Sequence, residues 1–339
     1  MTKKQFLDSF LETIAEYDNI AIVSHVNPDG DAVGSTLAFC FFLRKLGKNV
    51  NVLLPNAFPS CFNWLPGASD IILYDKNAAT GLQVLSNADL FCFLDFNTPS
   101  RTGLIHNDLC HFTKTPILLV DHHRDPDLSK FKAYLCETET SSTSELVAEI
   151  IQYHGFDKYL DLDIAKCLLV GIMTDTGSFA HSIFHPETFD ICSKLIIPGI
   201  DYTEIHHNVF DAYSENRVRL LGFSLSKMKV LPQYHTAYIV LCSDELERFD
   251  YQVGDTEGVV NYPLSIKEVN MSVLIKEHQG QIRFSFRSKG QFSVHEFAKD
   301  NFGGGGHHNA AGGSLNCSVA QAVDKLLEII PAYKNDLDY

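Results

Sequence analysis

The first half of the chain alternates short, almost uninterrupted apolar runs with segments of helical periodicity. The runs at 19–25, 49–54, 88–96 and 116–121 predict strands, and the patterns at 32–46, 142–153 and 163–173 predict helices. Strands that are apolar on both faces are typical of a parallel sheet covered by helices on both sides. We therefore predict a doubly wound α/β domain with a mainly parallel sheet, which binds ligands beyond the carboxyl ends of its strands.

Side chains that can bind metal ions follow several of these predicted elements. His25, Asp29 and Asp31 lie directly after the first strand, where Pro28 and Gly30 favour a turn over a helix. The same kinds of residue close later strands and one helix, namely Asp95, Asp121, His122, His123 and Asp175. Because the carboxyl ends of parallel strands meet at one edge, we expect these side chains to converge.

Each of these residues also has an ordinary structural interpretation. The NPDG segment is equally compatible with a simple turn in which Asp31 is a helix N-cap. Asp95 is likewise compatible with a cap for the turn after its strand. The set as a whole is harder to explain that way, because carboxylates clustered at one rim repel each other unless a cation holds them. Two divalent ions about 3.5–4 Å apart would neutralise the group and build a hydrolytic centre.

The second half of the chain has a different pattern. Segments 235–242 and 268–287 alternate as strands do, the latter interrupted by a turn at 278–280, and 318–333 reads as an amphipathic helix. We predict a first domain at 1–195, a helical linker at 196–232 and a smaller α+β domain at 233–339. The four glycines at 303–306 let backbone N–H groups approach an anion closely, although such a run is also compatible with a flexible linker.

The order of the ligand-type residues resembles that of a known family. The pattern His25-x3-Asp29-x-Asp31, then Asp95, then Asp-His-His at 121–123, then Asp175 is similar to the DHH phosphoesterase superfamily. The FRSKG segment at 286–290 and FGGGGHHNAAGG at 302–313 resemble the DHHA1 domain, and the closest subfamily in pattern is the bifunctional oligoribonuclease and PAP phosphatases. His308 departs from that pattern, in which a Lys or Arg is common.

The resemblance implies roles for individual residues. One metal would be bound by His25, Asp29 and Asp95, and the other by Asp31, Asp95, His122 and Asp175, with Asp95 shared between the two. Catalytic roles fall to Asp95, to His123 at the scissile phosphate or leaving group, and to Asp121 as the residue that orients a histidine. The implied substrate-binding residues are Arg101, Arg287, Ser288, Gly304, Gly305, Gly306 and His307. The active site would lie in the cleft between the two domains.

Metal and substrate follow from the same resemblance. Mixed imidazole and carboxylate ligands suit Mn²⁺ better than Mg²⁺, which remains the alternative. We expect a metal-dependent phosphoesterase that hydrolyses short oligoribonucleotides or 3′-phosphoadenosine 5′-phosphate. The rival enzymes are a manganese-dependent inorganic pyrophosphatase and a phosphodiesterase of linear or cyclic dinucleotides such as pApA. The non-enzymatic alternative is a nucleotide-binding regulator.

Composition restricts the partners. The formal net charge is −15, from 27 basic and 42 acidic residues, so the chain is a poor candidate for gripping long duplex nucleic acid. Nine cysteines without a CxxC pair indicate reduced thiols and a cytoplasmic location. The N-terminal segment reads as an amphipathic helix, not a signal peptide, and no apolar run approaches the ~20 residues of a membrane span. Family analogy adds a homodimer as an expectation.

Overall fold

The computed structural model describes residues 1–124, 126–180, 185–278 and 280–338. The chain forms two compact units, Met1–Ala212 and Tyr213–Tyr339. The division falls inside the segment 196–232, which we predicted as a linker. Residues from 213 onward in that segment fold as part of the second unit.

The first unit is an α/β unit built on six parallel strands. Its strands are β1 Asn19–Val23, β2 Asn49–Leu54, β3 Ile72–Leu73, β4 Leu90–Leu94, β5 Ile117–Asp121 and β6 Ala133–Cys136. Its helices are α1 Lys3–Ala15, α2 Gly30–Lys45, α3 Ala78–Asn87, α4 Leu104–Leu109, α5 Thr143–Tyr159, α6 Leu162–Asp175, α7 Pro186–Leu195 and α8 Tyr202–His206. The predicted doubly wound fold is confirmed.

The strand order of this sheet is β3-β2-β1-β4-β5-β6. The chain therefore moves outward from β1 in one direction and then returns to place β4 on the other side of β1. Reversals of this kind open a crevice at the carboxyl ends of the central strands, where α/β sheets bind ligands. The sequence patterns missed β3 and β6, which are short and contribute few apolar residues.

Two layers of apolar side chains cover the faces of this sheet. One layer packs α1, α2, α5 and α6 on the sheet and includes Phe10, Phe39 and Leu168, each 2% exposed or less. The opposite layer includes Phe91 and Phe93 and is covered by α3 and α4. Burial on both faces explains why the strand sequences are apolar without alternation.

Helices α2, α5 and α6 approach one another closely because of glycines. A Cβ atom at Gly34 would lie 2.4 Å from the carbonyl oxygen of Cys167, and one at Gly171 would lie 2.8 Å from an Asp31 carboxylate oxygen. Any larger residue would push these helices apart. The glycines thus allow the start of α2 and the end of α6 to meet.

The second unit is a mixed six-stranded sheet in the order β11-β12-β10-β9-β8-β7. Its strands are β7 Lys229–Leu231, β8 Thr236–Leu241, β9 Met271–His278, β10 Gln281–Ser288, β11 Gly305–Gly306 and β12 Ala310–Leu315. Its helices are α9 Glu215–Ser226, α10 Ser243–Arg248, α11 Val294–Phe302 and α12 Val319–Ile329. Phe284, Phe286 and Phe297 lie in its main core. Of the predicted turn at 278–280, Gln279 lies outside the described residues.

The glycine run is ordered in this unit and is not a flexible linker: it ends α11 and forms the short strand β11. Gly303 ends α11 in the left-handed conformation, with φ of 58°. A Cβ atom at Gly304 would lie 1.8 Å from the carbonyl oxygen of Gly312, and Gly305 and Gly306 pair with β12. The absence of side chains is therefore needed for backbone packing.

Within the described ranges, none of the helices has both the length and the apolar character that crossing a bilayer requires.

Candidate metal centre

The turn after β1 carries the first three ligand-type side chains. The Nδ1 atom of His25 lies 2.9 Å from the carbonyl oxygen of Val26, so Nδ1–H donates to it and Nε2 is left as the metal-binding atom. Asp29 is the N-cap of α2, and its Oδ1 accepts from the amides of Asp31 and Ala32 at 3.1 Å. The N-cap that we assigned to Asp31 in the structural interpretation therefore belongs to Asp29.

Asp95 follows β4 in the left-handed conformation, with φ of 66°. This conformation is uncommon outside glycine and turns the side chain into the cluster. Its carboxylate is 2% exposed and lies 3.3 Å from Nε2 of His25 and 3.5 Å from Nε2 of His122. Asp95 therefore contacts imidazoles from two different strand ends.

Asp31 is buried at the start of α2, where it is 1% exposed. Its two carboxylate oxygens accept from the backbone amides of Thr143 and Ser144, at 2.7 and 2.8 Å. Both amides belong to the first turn of α5, whose N-terminus favours negative charge. The local sequence around Asp31 gives no sign of these contacts.

His122 faces three carboxylates with one nitrogen. Its Nε2 lies 3.3 Å from Asp175, 3.5 Å from Asp95 and 3.9 Å from Asp31. A single N–H can donate well to one acceptor only, whereas a cation attracts all three carboxylates and accepts the nitrogen lone pair. These four side chains could therefore hold a metal ion.

The electrostatics of the buried cluster lead to the same conclusion. Burial raises the pKa of Asp31 well above its usual range, and the charges of Asp95 and Asp175 raise it further. Burial lowers the pKa of His122, but the neighbouring carboxylates outweigh this and raise it to about 10. Burial likewise opposes ionisation of Asp95, yet hydrogen bonds from His122 and His25 hold its pKa well below the usual range. Protons thus partly neutralise a cluster that divalent cations would neutralise more fully.

Three sets of side chains have ligand atoms within 4.8 Å of one another in this unit. Two of these sets correspond to the two predicted metal sites, and the third consists of the three residues predicted as catalytic. The sets are His25, Asp29 and Asp95; Asp31, His122 and Asp175; and Asp95, Asp121 and His123. The first unit therefore brings together every side chain predicted as a metal ligand, and the donor set fits divalent cations.

His123 is oriented by Asp121. Its Nδ1 lies 2.8 Å from Oδ1 of Asp121, which is fully buried at the end of β5. The rings of His122 and His123 are nearly perpendicular, at 75°. Adjacent histidines therefore face different directions, as their alternating placement after a strand predicts.

Arg101 lies beside the His25 turn. Its carbonyl oxygen accepts from the amide of Val26 at 2.8 Å, and its charge opposes protonation of His25. This places a guanidinium near the carboxylate cluster.

The predicted substrate residues of the second unit have internal partners. The hydroxyl of Ser288 donates to the carbonyl of Phe292 at 2.7 Å and accepts from Asn309 at 2.9 Å. Ser288 therefore braces its own loop, and its only hydroxyl proton is not available to a substrate. A guanidinium nitrogen of Arg287 donates to the carbonyl of Phe286 at 3.0 Å.

The glycine run likewise has partners within the unit. The amide of Gly304 donates to the carbonyl oxygen of Ala298 at 3.2 Å. Nδ1 of His295 lies 2.7 Å from the carbonyl oxygen of Gly306 and donates to it. The amide of His307 donates to Ala310 at 2.6 Å. The amide of Gly304, one of the four glycine amides that we expected to approach an anion, thus already has an acceptor within the unit.

Two residues around the site, Thr143 and Asn97, were not predicted from the sequence. Thr143 contacts both Asp31 and Asp95, the latter through its hydroxyl at 3.1 Å. Asn97 holds the carbonyls of His123 and Arg124 at 3.3 and 3.0 Å. The hydroxyl-rich run at 141–144 was a visible signal, but we interpreted it only as the start of a helix. A single asparagine at position 97 gives no such signal, because its burial is known only from the structure.

Comparison with known families supports the resemblance seen in the sequence. A profile of the DHH family, N-terminal domain, matches residues 19–172, and a profile of the DHHA1 domain matches residues 232–336. Together they span most of both units.

Individual relatives extend along nearly the whole chain. A crystal structure of an exopolyphosphatase-related protein from Bacteroides fragilis is 39% identical, with a TM-score of 0.91 and 99% of each chain covered. The bifunctional oligoribonuclease and PAP phosphatase NrnA of Bacillus subtilis is 25% identical over 90% of this chain and 92% of its own. The cyclic-di-AMP phosphodiesterase GdpP of Bacillus subtilis is 27% identical over 95% of this chain and 49% of its own.

Proposed function

This chain belongs to the DHH family, and we propose that it is a metal-dependent phosphoesterase that hydrolyses short oligoribonucleotides and 3′-phosphoadenosine 5′-phosphate. The observation that carries the proposal is the convergence of buried aspartates and histidines at the carboxyl edge of one sheet. The relatives named as oligoribonuclease and PAP phosphatase support the substrate class. We take dinucleotides to pentanucleotides as the preferred range.

We propose that the cluster binds two divalent ions. His25, Asp29 and Asp95 would hold one, and Asp31, Asp95, His122 and Asp175 would hold the other. Two such ions, when bound, supply an activated water and neutralise charge on the phosphate. The mixture of nitrogen and oxygen ligands favours Mn²⁺ over Mg²⁺.

His123 is the proposed contact to the scissile phosphate or the leaving oxygen. The hydrogen bond from Nδ1 to Asp121 fixes the ring and leaves Nε2 as the atom that faces the reaction. Arg101 is proposed to attract phosphate oxygens, since a guanidinium can donate two parallel hydrogen bonds to them.

The second unit is proposed to bind the rest of the nucleotide. Arg287, Gly305, Gly306 and His307 remain the candidates there. Ser288 and Gly304 are proposed instead to hold the loop in shape, since their donors have partners within the unit.

The named alternatives differ in substrate. Purified protein with Mn²⁺ would be offered di- to pentanucleotides, 3′-phosphoadenosine 5′-phosphate, linear pApA, a cyclic dinucleotide and pyrophosphate. We expect the highest kcat/KM on the short oligonucleotides or the bisphosphate nucleotide. Preference for pyrophosphate or for the cyclic dinucleotide would select the corresponding rival enzyme. Tight nucleotide binding without turnover would select the regulator.

We further propose a cytoplasmic homodimer. All nine cysteines fall within the described ranges and none of them forms a disulfide there, which is typical of a reducing compartment. Light scattering coupled to size exclusion measures the subunit number directly.

A further inference from the structure

The first turn of α5 holds two carboxylates of the cluster. The amide of Thr143 donates to Oδ2 of Asp31 at 2.7 Å, and its hydroxyl donates to Oδ1 of Asp95 at 3.1 Å. Thr143 itself is fully buried. One residue thus contacts a carboxylate from each of the two proposed ion-binding sets.

These contacts determine which carboxylate lone pairs remain for cations. Each oxygen of Asp31 already accepts one backbone amide, from Thr143 or Ser144. The remaining lone pairs have directions set by those bonds, because hydrogen bonds to carboxylates are strong and directional. The hydroxyl of Thr143 limits the rotation of Asp95 in the same way.

The turn that carries Thr143 is itself held by hydrogen bonds to Glu145 and Ser142. Glu145, which is 3% exposed, accepts from the amide of Ser141 at 3.0 Å and from the hydroxyl of Thr188 on α7 at 3.0 Å. Ser142 caps α5 by accepting from the amide of Glu145 at 3.1 Å. Because α7 and the helix cap both hold this turn, Thr143 has little freedom to follow the carboxylates if they move.

We infer that Thr143 is a positioning residue that fixes Asp31 and Asp95 relative to each other so that both can bind divalent cations. The inference rests on the proposed function only in that the carboxylates are taken as metal ligands. Residues that orient metal ligands typically contribute about 10–100-fold to metal affinity or activity. Thr143 makes no contact with substrate in this assignment.

The test compares three threonine substitutions in the full chain. Thr143→Val removes the hydroxyl while keeping the shape, and Thr143→Ser keeps the hydroxyl. Thr140→Val is the matched control, because the hydroxyl of Thr140 is buried nearby and has no hydrogen-bond partner in the part of the chain that the structure describes. The readouts are the Mn²⁺ concentration for half-maximal rise in Tm without substrate, and kcat and KM at saturating Mn²⁺.

We expect Thr143→Val to raise the half-maximal Mn²⁺ concentration about tenfold and to lower kcat more than it changes KM. Thr143→Ser should lie within about threefold of the parent, and Thr140→Val within about twofold. A merely structural role would lower Tm without changing the Mn²⁺ midpoint.

The outcomes separate this inference from the proposed function. An unchanged Mn²⁺ midpoint in Thr143→Val, or a midpoint in Thr143→Ser as high as in Thr143→Val, overturns the positioning role. Suppose that the parent binds Mn²⁺ and the Mn²⁺ midpoints of the variants follow the expected order, but none of the substrates is hydrolysed. The proposed function then fails and the positioning role stands. Should Thr143→Val not fold, Thr143→Ala removes the hydroxyl with less bulk and carries the same expectation.

Discussion

Single residues at the carboxyl edge of the first sheet perform more than one task. Asp29 is both a helix cap and a proposed ligand, since one carboxylate oxygen accepts two amides and the other remains. Asp95 has an uncommon backbone conformation that brings its carboxylate between two imidazoles. Residues held in this way are typical of functional sites, where surrounding contacts offset the backbone strain.

Asp95→Asn tests the shared ligand directly. The amide keeps the shape but loses the negative charge that both proposed ions would share, so we expect kcat to fall by at least about a hundredfold and bound manganese to decrease. Metal content by mass spectrometry and turnover of a dinucleotide measure the two effects.

Asp157→Asn is the control for net charge. Asp157 is exposed on α5, and its substitution should leave both quantities within about twofold. Full activity and metal content in Asp95→Asn would refute the two-ion assignment.

The helices of the first unit position the site through their close approach. The N-terminus of α5 reaches Asp31, and Gly171 on α6 leaves room for that contact. Elements far apart in the chain thus determine the geometry of a cluster whose residues lie mostly in loops. Such a design places the ligands on a rigid frame.

Gly171→Ala should damage both stability and metal binding. The added Cβ would lie 1.8 Å from Oγ of Ser144 and 2.8 Å from Asp31, so α5 or α2 must shift, at a cost of about 1–3 kcal/mol. Urea unfolding and the Mn²⁺-dependent rise in Tm measure the two effects.

For Gly222→Ala in α9, we expect the free energy of unfolding to rise and not to fall. A Cβ atom at Gly222 would meet nothing within 4 Å, so alanine should stabilise the helix by about 0.5–1 kcal/mol. Equal changes in the free energy of unfolding for Gly171→Ala and Gly222→Ala would show that the close approach of α2, α5 and α6 does not require a glycine at position 171.

His154 on α5 gives a prediction for pH. Burial lowers the pKa of His154 from its usual 6.5. The imidazole ring of His154 stacks on the ring of Phe10 in α1, with 5.6 Å between the ring centroids. The unfolded chain therefore binds more protons at this residue below about pH 6.5, so its contribution to the free energy of unfolding decreases as the pH falls.

His154→Phe should show a smaller loss of stability between pH 7.5 and pH 5.5 than the parent. His25 and His122 have raised pKa values and act in the opposite direction, but they are present in both proteins and cancel in the comparison. Urea unfolding at each pH measures the slopes, and parallel slopes would contradict the assignment.

The whole molecule carries a formal net charge of −15. Such a charge repels a polyanion everywhere except where cations or local basic groups reverse the field. Short substrates place few phosphates outside the site, so this repulsion weakens their binding only slightly. The charge therefore favours short oligonucleotides independently of the shape of the site.

Activity should consequently depend on substrate length and on salt. We expect kcat/KM to fall at least about tenfold from a trinucleotide to a 24-mer at low ionic strength, and the difference to shrink as salt screens the repulsion. A salt-independent length preference would point to steric exclusion instead. Equal rates on both lengths would contradict the proposed substrate class.

Much of the fold was predictable because its signals are local. The strand predicted at 49–54 matches β2 Asn49–Leu54, and the helix predicted at 163–173 lies within α6 Leu162–Asp175. The strands β3 and β6 were missed because two and four residues give too little pattern to distinguish them from loops.

By itself, the sequence determined a parallel sheet whose strands end in aspartate and histidine, because apolar runs and the polar residues that close them are read from neighbouring positions. Only the tertiary structure decided which atoms face one another. The amide of Ser144 reaches Asp31 across 113 positions of the chain, and the hydroxyl of Ser288 is taken by its own loop. Contacts of this kind depend on how helices pack and which donors are already used, and no local pattern records either.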